Sequence, residues 1–354
     1  MLLTLCAILV AVTITTLLGV SAIKTVGSEA ADRTLLQLCM TGDQSLDAYF
    51  QSVEQSVEMV SAMVEEDLHG VTPDRLEEHM SRVEPVIERM AEKTSGVLTY
   101  YYRIDPAVSD TVKGFWFANL DGRGFQEQTV TDLTKADTAD TSHVVWFTVP
   151  KFYGRSVWLR PYLTDGLNIR VISYNHPIYD TEGRFIGVVG MEIDYNLLAD
   201  MVNYVSMDEG GYAYIIDEDG RIVCHPTIDV AALGDDYEPS VPQGLMTGET
   251  FVNYTYNGVE MRAAVRGMNN GMRIVVTVPV SKISESWRRV VRYWRAVWMP
   301  MRADTRSSVT ASTGQAISIS TGAGRALPTA IFCSPHSILL PRTPTTITTM
   351  SSVS

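Results

Sequence analysis

Six histidines, four cysteines and 41 acidic residues carry most of the reactive chemistry in this chain, and their spacing excludes much of it. His69, His79, His143, His176, His225 and His336 form no HxxxH or HExxH group, so no metal centre is expected. Cys6, Cys39, Cys224 and Cys333 lie in four dissimilar contexts with no CxxC, which argues against a disulfide scaffold. There is no glycine-rich phosphate loop and no GxSxG elbow. Glu192 and Asp194 fall on one strand face and can be written as an acid/base pair, but Asp194 is better used as a helix cap. The expectation is therefore a protein that is not an enzyme and needs no cofactor. What remains is binding chemistry. Trp146, Phe147, Trp158 and Tyr162 offer flat apolar walls, and Glu192 is placed to meet a cation or a hydrogen-bond donor. Aromatic walls with one carboxylate suit an ammonium group. The competing arrangement puts Trp158 and Tyr162 in the core and pairs Glu192 with Arg160 or Arg170.

The elements that must position these groups centre on residues 158–194. Ile169–Tyr174 alternates and is rich in β-branched and aromatic residues, Asp180–Gly183 has turn chemistry, and Phe185–Ile193 is an apolar run. Strand parity puts Phe185, Val189, Met191 and Ile193 on one face and Ile186, Val188, Gly190 and Glu192 on the other. The first face suits packing on helices. The second ends in a carboxylate beside a glycine, which leaves room for a pocket floor. Upstream, Leu46, Phe50, Val53, Val57, Val60 and Val64 step by threes and fours and predict a long helix ending near His69-Gly70. This stripe reads equally as cover for a sheet or as a homodimer seam. Thr72-Pro73 predicts a restart with an N-cap and an N1 proline, carrying Leu76, Met80, Val83, Ile87 and Met90. Strands are predicted at Val97–Arg103, Phe115–Asn119, Trp146–Val149 and Val157–Tyr162, with a turn at Asp121-Gly122 and a polar loop over 135–142. Asp194 then caps a helix with Leu197, Leu198, Met201 and Val205 on its apolar side.

A second, smaller unit starts at Gly210-Gly211. Its strands are predicted at Tyr212–Asp217, Arg221–Cys224, Thr250–Tyr256, Val259–Arg266 and Met272–Pro279. Ile215-Ile216-Asp217-x-x-Gly220-Arg221 echoes Ile178-Tyr179-Asp180-x-x-Gly183-Arg184, a sign of internal repetition.

The series Trp146-Phe147, Pro150, Trp158-x-x-Pro161-Tyr162, Ile172-Ser173-Tyr174-x-x-Pro177 and Gly187-Val188-Val189-Gly190-Met191-Glu192-Ile193-Asp194 resembles the distal half of a double Cache sensor domain. Such domains are the extracytoplasmic ligand-sensing modules of bacterial chemoreceptors, histidine kinases and diguanylate cyclases. The resemblance implies an α+β fold, a long N-terminal helix followed by two PAS-like antiparallel-sheet modules, with the ligand in the distal one. The implied binding set is Trp146, Phe147, Trp158, Arg160, Tyr162, Thr164, Tyr174 and Glu192. The amino-acid-sensing branch places an Arg two residues before the Trp of its Trp-Tyr pair. Here that position is Val144, its Tyr is Phe147, the Asp after its Pro-Tyr pair is Thr164, and its final Asp is Glu192. These departures weaken the case for α-amino acids bound through that motif and leave the ligand class open.

Composition fits this reading. With 45% hydrophobic and 19% charged residues, 354 residues can bury one or two cores. The net charge of -13 argues against a nucleic-acid partner. Residues 1–23 carry no charge and are long enough to cross a bilayer as a signal anchor, with Val20-Ser21-Ala22 offering the rival of a cleaved signal peptide. Stalk and packing helices are expected over 24–92, the distal module over 93–206 and the proximal one over 207–281. An exit helix is expected over 282–300. Arg288, Arg289, Arg292 and Arg295 interrupt any second span, and the Ser/Thr-rich stretch over 301–354 reads as a disordered, frameshifted or truncated tail without an output domain. The expected whole is a sensor tethered in a bacterial cell membrane. Its alternative is a tethered or secreted solute-binding protein with no signalling role.

Overall fold

The computed structural model describes residues 2–70, 72, 75–164, 166–205, 210–230, 241–283 and 285. Helix α1, Leu2–Asp67, runs for 66 residues. Its stripe of Leu46, Phe50, Val53, Val57, Val60 and Val64 is at most 1% exposed because the chain's own sheet covers it. Full burial of side chains this size is worth about 1.5–3 kcal/mol each, so the stripe is spent within one chain and does not form a dimer seam. Helix α2, Leu76–Lys93, lies beside it and buries Leu76, Met80, Val83 and Ile87. The Thr72 N-cap is not made: the first helical residue is Leu76, Arg75 precedes it without a side-chain cap, and the Arg75 N–H donates to the Thr72 carbonyl at 2.8 Å in a turn. The Pro73 position lies outside the described residues.

A seven-stranded antiparallel sheet follows. Its strands are β1 Val97–Ile104, β2 Gly114–Ala118, β3 Gln126–Glu127, β4 Val157–Trp158, β5 Tyr162–Leu163, β6 Arg170–Tyr179 and β7 Phe185–Asp194. Their order is β3-β2-β1-β7-β6-β4, with β5 also on β6. The register pairs Thr99 with Glu192, Tyr101 with Gly190 and Arg103 with Val188. Alternation then sends Tyr100, Tyr102, Met191 and Ile193 into the core under α1 and α2, and Thr99, Tyr101, Arg103 and Glu192 to the opposite face.

Parity fails near the start of β7. A register shift between Ile178 and Tyr179 leaves Ile186 as an extra residue in β7, so Ile186 joins the helix-side core while Phe185 packs with Tyr101, Phe147 and Val188 on the other side. The expected strand at Trp146–Val149 is instead helix α3, Val145–Tyr153. Its β-favouring residues are overridden by packing, since Phe147, Thr148 and Pro150 are buried on one helical side. The segment 157–162 is not one strand but two short bridges, interrupted around Pro161.

Asp194 caps helix α4, Tyr195–Tyr204, accepting from the Asn196 N–H at 2.8 Å. The second sheet contains β8 Tyr212–Ile216, β9 Ile222–Cys224, β10 Phe251–Tyr256, β11 Val259–Gly267 and β12 Arg273–Pro279, in the order β10-β11-β12-β8-β9. The repeated DxxG turns are the same object twice. Asp180 Oδ1 accepts from the Glu182 and Arg184 N–H groups at 3.0 and 2.8 Å, and Asp217 Oδ1 accepts from Asp219 and Arg221 at 3.0 and 2.8 Å. Helix α1 spans both modules: a Cβ on Gly42 would sit 2.5 Å from Ile274 Cδ1, so the helix lies directly on the second sheet. Cys39, packed beside it, has its thiol pushed up to about 12 by burial. Of the exit helix, Lys282, Ile283 and Glu285 are helical; the rest of it and the tail lie outside the described residues. The N-terminal part of α1 is one helix long and apolar enough to cross a membrane.

Candidate ligand-binding site

A cavity of about 330 Å³ opens on the face of the first sheet turned away from α1. Its floor is built by β1, β7 and β5. Glu192, 3% exposed, receives the Thr99 hydroxyl on Oε2 and the Tyr162 hydroxyl on Oε1, each at 2.5 Å. Ser173 Oγ lies 3.2 Å from the Tyr162 oxygen and accepts from Asn175 Nδ2 at 2.8 Å. Tyr101 crosses β7 above Gly190 and donates to Asn175 Oδ1. Burial, reinforced by the Glu192 charge, raises both tyrosine pKa values, so Tyr101 and Tyr162 stay protonated and act as donors.

Trp146 forms a wall, its ring 5.1 Å from that of Tyr101. Arg103 enters from the far end of β1. It is 2% exposed, donates from Nη2 to the Thr131 carbonyl, and its Cζ lies 5.7 Å from the Trp146 ring. Burial lowers its pKa to about 10, which still leaves it cationic at neutral pH. Its Nε is buried without an acceptor among the described residues. Trp116, Ser142, His143 and Thr164 complete the rim. The polar loop over 135–142 thus leads directly onto the mouth.

Of the eight residues implied by the sequence, Trp146, Tyr162, Thr164 and Glu192 come together here. The other four are placed elsewhere. Phe147 is fully buried under Trp146, against Val188 and Phe185. Trp158 and Tyr174 pair across β4 and β6, and Tyr174 pairs with Met191, so both point to the helix side. Trp158 packs edge-on to Phe50 at 4.9 Å and donates to Glu54 at 2.7 Å, while the Tyr174 hydroxyl donates to Glu58 at 2.9 Å. Arg160 faces the second module, where its charge acts on Asp217. Arg170 pairs with Asp229 at 2.7 Å. The glycine that seemed to leave room for ligand, Gly190, makes room for Tyr101: a Cβ there would lie 2.5 Å from the Tyr101 ring. Sequence reasoning missed Tyr101, Arg103 and Trp116. The alternation of Thr99, Tyr101 and Arg103 within an aromatic strand was the available signal.

The sequence profile of the Cache domain family matches residues 22–287, which includes both sheets and the helices that carry them. This chain belongs to the Cache domain family. Its architecture is that of a double Cache sensor. Among solved structures it is similar to the periplasmic sensory domain of the Campylobacter jejuni chemoreceptor Tlp1, with a TM-score of 0.56 and 14% identity over 73% of this chain and 98% of the other. It is also similar to the extracellular domain of the putative histidine kinase mmHK1S-Z3, with a TM-score of 0.55 and 17% identity over 74% and 97%. A third is the ligand-binding domain of Mlp24 with asparagine, with a TM-score of 0.50 and 16% identity over 75% and 99%. In sequence it is 23% identical to the methyl-accepting chemotaxis protein PctB of Pseudomonas aeruginosa over 163 residues. That match spans 46% of this chain and 25% of the relative's length. As a Cache domain protein the chain has a sensor's fold.

Proposed function

We propose that this Cache protein is the extracytoplasmic small-molecule sensor of a bacterial signal-transduction receptor of chemoreceptor, histidine kinase or diguanylate cyclase type, held in the cell membrane by the N-terminal part of α1. The observation that carries the reading is the distal cavity, with the buried Glu192 carboxylate set among Trp146, Tyr101 and Tyr162. That combination favours a ligand bearing an amine, held by ion pairing and by the aromatic faces. The solved Mlp24 domain was obtained with asparagine, an amine-bearing solute of small size. Signalling requires that the ligand favour one of two states. Strand β1 supplies a direct connection, because its alternate residues face the ligand cavity and the core under α1. Pairing of two receptors would use the exposed face of α1, where Met40, Met59 and Met63 lie.

The test is a thermal-shift screen of the full chain in detergent against amines, carboxylates, purines and sugars. An amine-bearing hit is expected, with its shift abolished in Glu192→Gln. A hit whose shift survives that change, with the variant folded, would place binding away from this cavity. The second reading, a solute-binding protein with no signalling role, draws on Val20-Ser21-Ala22 after the apolar run. N-terminal sequencing that finds cleavage after Ala22 would favour it.

A further inference from the structure

The cavity holds two buried charges of opposite sign, and the strand register fixes how far apart they stand. Glu192 on β7 pairs with Thr99, and Arg103 stands four positions further along β1, opposite Val188. At about 3.3 Å per strand residue, the two positions are separated by about 13 Å. The side chains do not close that gap. The Arg103 stem leans away from β7 and over β2: a Cβ on Gly114, its partner there, would come within 2.9 Å of Arg103 Cδ. Glu192 is held at its own end of the cavity, between the hydroxyls of Thr99 on β1 and Tyr162 on β5. Between the two charges lies the aromatic lining of Tyr101 and Trp146.

We propose that the ligand is an elongated zwitterion, whose anionic group is received by Arg103 and whose ammonium is received by Glu192, with a short chain lying over Tyr101 and Trp146. This rests on the reading of the distal cavity as the ligand site. A guanidinium that is 2% exposed, with a buried Nε lacking an acceptor among the described residues, offers a charge-assisted donor that a carboxylate satisfies. Taking two contacts of about 3.5 Å from about 13 Å leaves about 6 Å between the ligand's charged centres. An extended chain of about four methylenes covers that distance, as does the span between the termini of a dipeptide. An α-amino acid, with its charged groups about 2.5 Å apart, reaches one end only.

The experiment is calorimetric titration of the full chain in detergent. The probes are the ω-amino acids from glycine to 8-aminooctanoate, glycylglycine, asparagine, pentanoate and pentylamine. Affinity is expected to peak at three to five methylenes, or with the dipeptide, and to fall at least tenfold for glycine, asparagine and the two singly charged compounds. Arg103→Gln should cost 5-aminopentanoate at least tenfold and leave pentylamine unchanged. Glu192→Gln should cost the same and leave pentanoate unchanged, with melting curves confirming that both variants are folded. A tightest ligand that is an α-amino acid, singly charged or uncharged overturns the elongated zwitterion while the sensor reading stands. The same holds if no probe binds but the wider screen yields a hit lost in Glu192→Gln. Binding retained in both variants overturns both.

Discussion

Replacing Gly190 by alanine tests how the floor of the cavity is built. The added Cβ would lie 2.4 Å from Asn175 Oδ1 and 2.5 Å from Tyr101 Cζ. Neither neighbour can give way cheaply, because Tyr101 is 2% exposed, Asn175 is fully buried, and the two are hydrogen-bonded to each other. Overpacking of this kind costs about 1–3 kcal/mol, and a broken buried hydrogen bond adds about 1–3 kcal/mol. The expected loss is about 2–6 kcal/mol, or a fall in Tm of roughly 5–20 °C for a unit of this size. Thermal unfolding followed by circular dichroism measures it, and Gly42→Ala, which meets Ile274 and Val205 on the second module, is the comparison. The two should differ in one respect: Gly190→Ala displaces Tyr101 and weakens ligand binding, whereas Gly42→Ala lowers Tm with affinity retained. If Gly190→Ala stays within about 0.5 kcal/mol of the parent, the packing of Tyr101 over Gly190 is not as described.

Two further predictions concern the core and its response to pH. Trp158→Phe keeps the edge contact with Phe50 but loses the bond to Glu54, so stability should fall by about 1 kcal/mol with no change in ligand affinity. Weakened affinity with stability intact would put Trp158 back at the ligand. His225 is 8% exposed among Tyr212, Tyr214 and Tyr256, and burial lowers its pKa to about 4. The unfolded chain takes up this proton first, so the neutral ring's contribution is complete above about pH 6.5 and is lost as pH falls toward 4. The shift corresponds to about 3 kcal/mol, and urea melts between pH 7 and 4 should show that much less acid sensitivity in His225→Phe. An unchanged pH slope would contradict the assignment.

How much of this the sequence disclosed depended on how local the cause was. The stripe from Leu46 to Val64, the Asp194 cap and the paired DxxG turns are set by residues a few positions apart, and each was legible. Glu192 was legible because its strand is otherwise apolar on both faces. The opposite holds for α3, where Val145, Trp146, Phe147 and Thr148 favour a strand and only burial of Phe147 and Pro150 makes a helix. Trp158 and Tyr174 look like ligand walls until the pairing of β4 on β6 fixes their side of the sheet. Arg103 and Tyr101 join the cavity through the β1–β7 register, a pairing of segments about 90 residues apart that no spacing rule reports. The bulge at Ile186 reverses parity for the residues before it, which alternation alone does not reveal.

The central claim, that the face of the first sheet bearing Glu192 holds the ligand, is tested most directly by solving the structure of the protein with its tightest-binding solute. The account predicts ligand density over Tyr101 and Trp146, with an ammonium nitrogen within about 3 Å of a Glu192 oxygen. Density on the Trp158 side, against α1, or in the second module would contradict it.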